Sequence, residues 1–320
     1  MKIIEAHGLT KKYGDLTAVD SLDLSVDKEI YGLLGPNGSG KTTTVNMLTS
    51  LLLPTSGTAT ICGHDIISEK DDVRRSMSYV PQYLAVDIRL TGRENVDLYA
   101  KLYGIKNKTD RKESVERVLD VMGLTERADE ITRSYSGGMQ RRLELAQALV
   151  HDPKVLFLDE PTMGLDVSAR RSIWTHISKL KDSGMAVFVT THHMDEAEKY
   201  CDRVGILKKG VLVTEGTPSE LKSSKRSIIS IKTDGGPPSS IPEEAELLNA
   251  EGDEVIFSAE NGHDALLKII HNYDRDNIKI YSATLREPSL EDVYLTSVDS
   301  EAEEGGRFNR MQFRNIMRRN

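Results

Sequence analysis

The sequence predicts an α/β core followed by a small α+β appendage. Three observations carry that expectation. First, Gly35-Pro36-Asn37-Gly38-Ser39-Gly40-Lys41-Thr42 matches G-x-x-x-x-G-K-[ST]; the apolar run Ile30 to Leu34 precedes it, and a helical stretch from Thr43 to Leu53, stopped by Pro54, follows. Second, four apolar residues, Val155 to Leu158, run into Asp159 and Glu160, the pattern of a buried parallel strand with carboxylates at its C-terminal edge. Third, beyond residue 222 the pattern changes to short strands and helices that carry no motif for chemistry.

Taken in chain order, residues 2 to 29 alternate apolar and polar side chains and predict an antiparallel β-layer beside the nucleotide. Tyr13 sits in it, placed to stack on adenine. In the phosphate loop Gly35, Gly38 and Gly40 remove Cβ clashes, so that backbone N–H groups converge on phosphate. Pro36, Asn37 and Ser39 complete the loop and Thr43 extends it into the helix. Lys41 is placed to reach the β- and γ-phosphates, and the Thr42 hydroxyl to ligate Mg²⁺. After the strand Met77 to Val80 and Pro81, Gln82 is placed to bridge Mg²⁺ and a moving segment.

Residues 85 to 135 predict an inserted helical subdomain. Glu94 to Leu102 and Arg111 to Met122 carry apolar residues at i, i+3, i+4 spacing, with Val115, Val118, Leu119 and Met122 as a core-facing stripe. Ser136-Gly137-Gly138-Met139-Gln140 then opens a helix that runs to residue 150 and stops at Asp152-Pro153. The run offers a hydroxyl, unencumbered backbone amides and a helix N-terminus to a phosphate. At the acidic strand end Asp159 is placed to hold Mg²⁺ through water and Glu160 to act as general base. Gly164-Leu165-Asp166 leads into a helix over 167–182 whose buried face is Ile173, Trp174, Ile177 and Leu180. A strand over 185–191 delivers His192, placed to hydrogen-bond the γ-phosphate; its neighbour His193 points the other way.

These residues, in this order, resemble the ATP-binding subunit of ABC transporters over residues 2 to about 222. The resemblance implies a P-loop core of RecA type with an antiparallel β-subdomain and an inserted helical subdomain. In its terms residues 35–42 are Walker A, Gln82 the Q-loop, Ser136 to Gln140 the signature, residues 155–160 Walker B, Gly164-Leu165-Asp166 the D-loop and His192 the H-switch. It implies two ATP molecules sandwiched in a head-to-tail dimer, each gripped by Lys41 of one subunit and by Ser136, Gly138 and their neighbours, Asp166 included, of the other. The second subunit is another copy or a paralogous ATPase. Tyr135 and Met139 depart from the commonest signature; with Leu90 to Asn95 and the ending Glu287 to Leu295 they are similar to the drug-resistance and sodium-efflux branch, of daunorubicin-resistance type. That branch implies an exporter, with an integral-membrane permease touching residues 83 to 103.

Composition bounds the alternatives. A net charge of −8 gives no support for generic nucleic-acid binding, so none is expected, and 38% hydrophobic with 29% charged residues is ordinary for a soluble globular protein. No window approaches a membrane span, so the chain is expected on the cytoplasmic face of the membrane, held through its permease. A soluble ABC ATPase acting on nucleic acid or ribosomes is the alternative; its class usually carries two cassettes or a long coiled-coil insertion, whereas this chain has one cassette without sustained heptads. Cys62 and Cys201, far apart, read as buried free thiols.

The domain reading is 1–222 for the ATPase, 227–298 for the accessory domain and 299–320 for a charged tail. In the accessory domain residues 228–232, 254–258 and 277–285 predict strands, and 245–249, 262–271 and 289–297 short helices. The tail, acidic up to Glu304 and then basic with interleaved apolar residues, reads as disordered and solvated, with membrane-surface binding as the alternative.

Overall fold

The structure, a computed structural model, describes residues 2–223 and 225–299. The predicted tail beyond Asp299 lies outside the described residues. The chain forms two compact units, Met1–Pro218 and Ser219–Asn320.

The first unit opens with β1 (Ile4–Tyr13), β2 (Leu16–Val26), β3 (Ile30–Leu34), α1 (Lys41–Leu48), β4 (Ser56–Ile61) and β5 (His64–Asp65). Next come α2 (Lys70–Ser76), β6 (Met77–Val80), α3 (Gly92–Leu102), α4 (Lys108–Val121) and α5 (Gly137–Leu149). It closes with β7 (Val155–Asp159), α6 (Val167–Asp182), β8 (Ala186–Thr191), α7 (Met194–Tyr200), β9 (Arg203–Lys208) and β10 (Val211–Gly216). The central sheet runs β10-β9-β3-β8-β7-β6, parallel except where β10 returns antiparallel along β9. A parallel sheet covered on both faces must be apolar along its whole length. β3, β7 and β8 are indeed buried at every position. The expected antiparallel layer is also present, as β2-β1-β4-β5.

Sequence reading missed β4, β5, β9 and β10. The β9–β10 hairpin was nonetheless encoded: Lys209 and Gly210 both take positive φ, 46 and 84, as a two-residue primed turn requires.

The helical insertion forms as predicted. Thr91 caps α3 in a capping box with Glu94. Gly92 is glycine because a Cβ there would meet the Tyr135 hydroxyl at 2.5 Å. That hydroxyl donates to Arg127 O at 2.6 Å, so the tyrosine that departs from the commonest signature buttresses the insertion.

The second unit contains α8 (Pro218–Ser223), largely, then β11 (Ser227–Thr233), β12 (Ala245–Glu251), β13 (Glu254–Ala259), α9 (Gly262–Arg275), β14 (Ile280–Arg286) and α10 (Leu290–Asp299). Its antiparallel sheet runs β12-β13-β11-β14, with Ala265, Ile269 and Tyr273 of α9 packed on Ile229, Ile231, Val255 and Phe257. One expectation is overturned: residues 245–249 are strand, not helix. Ala, Glu and Leu favour helix locally, but the tight turn at Gly252 (φ 65) folds β12 onto β13, pairing Leu247 with Phe257, and tertiary pairing outweighs propensity. Of the two free thiols Cys201 is buried, but Cys62 is half-buried.

Candidate nucleotide site

The parallel strands end at one edge of the sheet, and chemistry collects there, as it does in open α/β sheets. The loop from β3 into α1 wraps the edge. Gly40, at φ 108, is the residue before the helix, and a Cβ on Gly35 would fall inside van der Waals contact of Leu207 O and Ser39 Oγ. Ser39 Oγ is buried with no hydrogen-bond partner in the protein. Lys41 Nζ donates to Gly35 O at 2.8 Å and Pro36 O at 3.1 Å, and lies 3.7 Å from Glu160 Oε1. Burial pushes its pKa down, while Glu160 and Asp159 push it back up.

The acidic pair stands opposite. Asp159 ends β7 with one carboxylate oxygen 3.0 Å from Thr42 Oγ1 and the other accepting from Thr190 Oγ1. Glu160 turns out of the strand at φ 48, a left-handed backbone that costs a β-carbon residue about 1–3 kcal/mol. β8 anchors it: the Glu160 N–H donates to Thr190 O at 3.0 Å. Glu160 Oε2 lies 2.5 Å from His192 Nδ1. Glu160 therefore sits between Lys41 and His192. His193 is the residue before α7, and against the expected alternation its ring lies beside that of His192, centroids 4.2 Å apart, because the chain leaves the strand there and turns into the helix.

A cleft of about 740 Å³ opens over Lys41, Thr42 and Glu160, lined by Tyr13, Leu16, Thr17 and Ala18 on the β-layer side and by Asn37, Gly38, Gly40 and Thr43 beside them on the loop side. Gln82, Tyr83, Glu160 and Lys209 complete its wall. The Tyr13 ring is 50% exposed and carries Lys11 Nζ 5.2 Å from its centroid. Gln82 turns its amide nitrogen to Met163 Sδ at 2.9 Å. The donor set around Thr42 and Asp159 is hydroxyl and carboxylate oxygen, the hard ligands that Mg²⁺ takes beside phosphate and water. Together with the unpaired Ser39 hydroxyl, that set fits a Mg²⁺-bound phosphate chain.

The signature run lies elsewhere: none of Ser136 to Gln140 lines this cleft. Ser136 caps α5, its Oγ accepting from Met139 N at 3.3 Å. Gly138 packs where a Cβ would stand 2.8 Å from Ala169 Cβ, and Gly137 faces Leu165. Gln140 donates to Thr132 O at 3.3 Å, and Asp166 caps α6 through Ala169 N at 2.8 Å. The signature and the 164–166 loop thus form a second, neighbouring surface built from two helix N-termini.

Sequence reasoning missed Thr190, Arg141 and Glu144. Thr190 lies within the strand read over 185–191, two residues before His192. Arg141 and Glu144 are charges three apart in a helix otherwise buried at Leu143 and Ala146, and that misplaced polarity was their signal.

A P-loop α/β core with an antiparallel layer, a helical insertion and this distribution of acids and glycines defines an ATP-binding cassette. The comparisons agree. The ABC transporter family profile matches residues 19–163, and the profile described as "ATP-binding protein DrrA1-3-like, C-terminal domain" matches residues 216–298. The daunorubicin/doxorubicin resistance ATP-binding protein DrrA of Streptomyces peucetius is 40% identical over 309 residues, 92% of each chain. Among solved structures, cbiO1 of Clostridium perfringens, part of the complex cbiONQ, aligns with a TM-score of 0.64 at 27% identity, covering 69% of this chain and 90% of that one. A dimeric post-hydrolysis cassette bound to ADP and phosphate aligns at 0.60 and 28% identity, covering 67% and 98%. The chain belongs to the ABC transporter ATP-binding family, with a DrrA-like C-terminal domain. It is the ATP-hydrolysing subunit that powers such a transporter.

Proposed function

We propose that the cleft takes ATP with adenine on Tyr13 and the phosphates on residues 35–43, and that a second cassette closes it with Ser136, Gly137, Gly138, Gln140 and Asp166. One observation carries this reading: Lys41, Thr42 and Glu160 line one cleft, with Asp159 held against Thr42 and His192 against Glu160, while no residue of the signature on the same chain lines it. A site so divided needs another chain to be complete. The second cassette is another copy or a paralogous subunit.

Lys41 turns its ammonium from the loop carbonyls to the β- and γ-phosphates. Thr42 and Asp159, with Gln82, would hold Mg²⁺, and the ion would neutralise charge developing on the phosphates. Glu160 accepts a proton from the water that attacks the γ-phosphorus, and His192 keeps that carboxylate aimed and hydrogen-bonds the γ-phosphate. Hydrolysis removes the link between the subunits and the pair opens.

The permease docks where Tyr83 (77% exposed), Leu84, Ile88, Leu98 and Leu102 stand out on the loop after Gln82 and on α3. No helix among the described residues is long and apolar enough to cross a membrane, so attachment to the cytoplasmic face runs through that partner. Relatives named for drug resistance support export as the direction. The accessory domain, residues 227–298, serves dimerisation or regulation.

The test is capture from detergent-solubilised membranes with the Glu160→Gln chain and ATP, which hold the closed state. One multi-span membrane protein is expected. Recovery of ribosomal or nucleic-acid proteins without a membrane protein would overturn the reading.

A further inference from the structure

A buried ion pair that no step above uses lies behind the site. Arg141 and Glu144, one turn apart on α5, have side chains only 4% and 3% exposed and meet at 2.8 Å (Arg141 Nη1 to Glu144 Oε2). Two charges so far from water must be satisfied on every side. Their remaining hydrogen bonds all go to backbone, and all to segments that carry site residues. Arg141 Nε donates to Pro161 O at 3.0 Å, and Nη2 approaches Asp159 O at 3.4 Å. Those carbonyls flank Glu160, the residue held at φ 48. Arg141 Nη1 also donates to Pro81 O at 2.8 Å, immediately before Gln82, and Glu144 Oε1 accepts from Ala85 N, just after it. One turn further along α5, Gln147 donates to Asn95 Oδ1 at 3.2 Å, and that same oxygen accepts from Asp87 N at 3.0 Å.

A single face of the signature helix thus grips both ends of the Gln82 loop and both sides of the turn that presents Glu160. We propose that the Arg141–Glu144 pair is a positioning device that couples the Gln82 loop, and with it whatever docks on Tyr83 and Leu84, to the orientation of Glu160 and of the signature helix. Neither residue touches nucleotide. The guanidinium fixes a strained turn by binding the carbonyls around it, in a geometry that a lysine cannot copy, because one ammonium cannot span three carbonyls and a carboxylate. Glu144 completes the joint: it neutralises the guanidinium and, through the Ala85 N–H, ties the far side of the loop to the same helix. Movement of the loop then reaches the base and the signature together.

This inference rests on the assignment of Glu160 as base, and the test separates the two. Steady-state ATPase activity and ATP affinity are measured on the full chain for Glu144→Gln, Arg141→Lys, the apolar pair Arg141→Met/Glu144→Leu, and Glu160→Gln. Glu144→Gln keeps the acceptor for Ala85 N but turns an amide N–H towards the guanidinium. Both single variants are expected to lose about tenfold or more in kcat, the scale of a small misplacement of catalytic groups, while the Kd for ATP stays within about threefold because the phosphate loop is untouched. Replacing a buried ion pair by apolar residues commonly preserves the fold. The apolar pair is therefore expected to melt no lower than Arg141→Lys and still to hydrolyse slowly. A Glu144→Gln chain with wild-type kcat, or an apolar pair that regains it, would show a role in stability alone and overturn the proposal. A Glu160→Gln chain that hydrolyses normally would instead overturn the base assignment.

Discussion

Lys41, Glu160 and Tyr13 show how three residue types divide the work of one cleft. Lys41 is a charge kept out of water: burial lowers its pKa, and its cost is offset by two carbonyls and two carboxylates until phosphate oxygens compete for the same protons. Glu160 sits between that lysine and His192 on a backbone conformation its type rarely adopts. Glu160→Gln should cut kcat by about 10²–10⁴ and leave ATP binding intact, read as phosphate release against nucleotide titration. Tyr13 stands half exposed at the mouth, with Lys11 Nζ over its ring. Tyr13→Ala should weaken ATP binding by the worth of one stacked base, about 1–3 kcal/mol, whereas Tyr13→Trp should restore it; equal affinities for the alanine chain and the wild type would remove the stacking assignment.

At the scale of elements, α5 is the hub. Its N-terminus is the signature, its middle holds the Arg141–Glu144 joint, and its C-terminal end is fixed by His151. That ring stacks on Tyr103 with centroids 3.7 Å apart and shares a hydrogen bond with Met77 O at 3.3 Å. Burial pushes the His151 pKa below its usual 6.5, and the Met77 carbonyl only partly opposes this. Burial also lowers His176, on α6. The unfolded chain takes up these protons near pH 6.5 and the folded one only at lower pH. The stability they contribute is thus present above that value and lost as pH falls through it towards the depressed folded values. His151→Phe keeps the stack and removes the titration. Its melting temperature should fall less steeply than the wild type's between about pH 7.5 and pH 5.5, around the ordinary histidine value. Parallel curves would mean that His151 is not among the titrating groups.

For the molecule as a whole, the proposal to test is that no single copy completes the site. The cleft's walls all come from the unit ending at Pro218, and no signature residue is among them. ATPase activity per mole of the isolated chain should therefore rise with protein concentration until dimers saturate, and Ser136→Arg should depress kcat without raising the Kd for ATP measured on dilute monomer. A specific activity that stays flat down to nanomolar protein would count against a shared site.

Most of this site was legible in the sequence because it depends on short-range chemistry. A loop that cradles phosphate must have glycines where backbone approaches backbone, as at Gly35 and Gly40; a buried parallel strand must be apolar up to the acids at its end, as in β7; a helix that offers its N-terminus must be capped, as Ser136 caps α5. Each of these is set within about ten residues and can be read in order along the chain. What only tertiary structure decided are the pairings between distant segments. Strand β12 reads locally as helix and becomes strand because β13 folds back beside it. Thr190 meets Asp159 only because β8 pairs with β7. Arg141 and Glu144 are visible in the sequence only as misplaced polarity in an apolar helix, and sequence carries no direct record of which carbonyls a buried guanidinium will find. The residues proposed to contact nucleotide were written locally; the buried pair behind them arose from long-range packing, where burial, not residue type, sets what a charge must do.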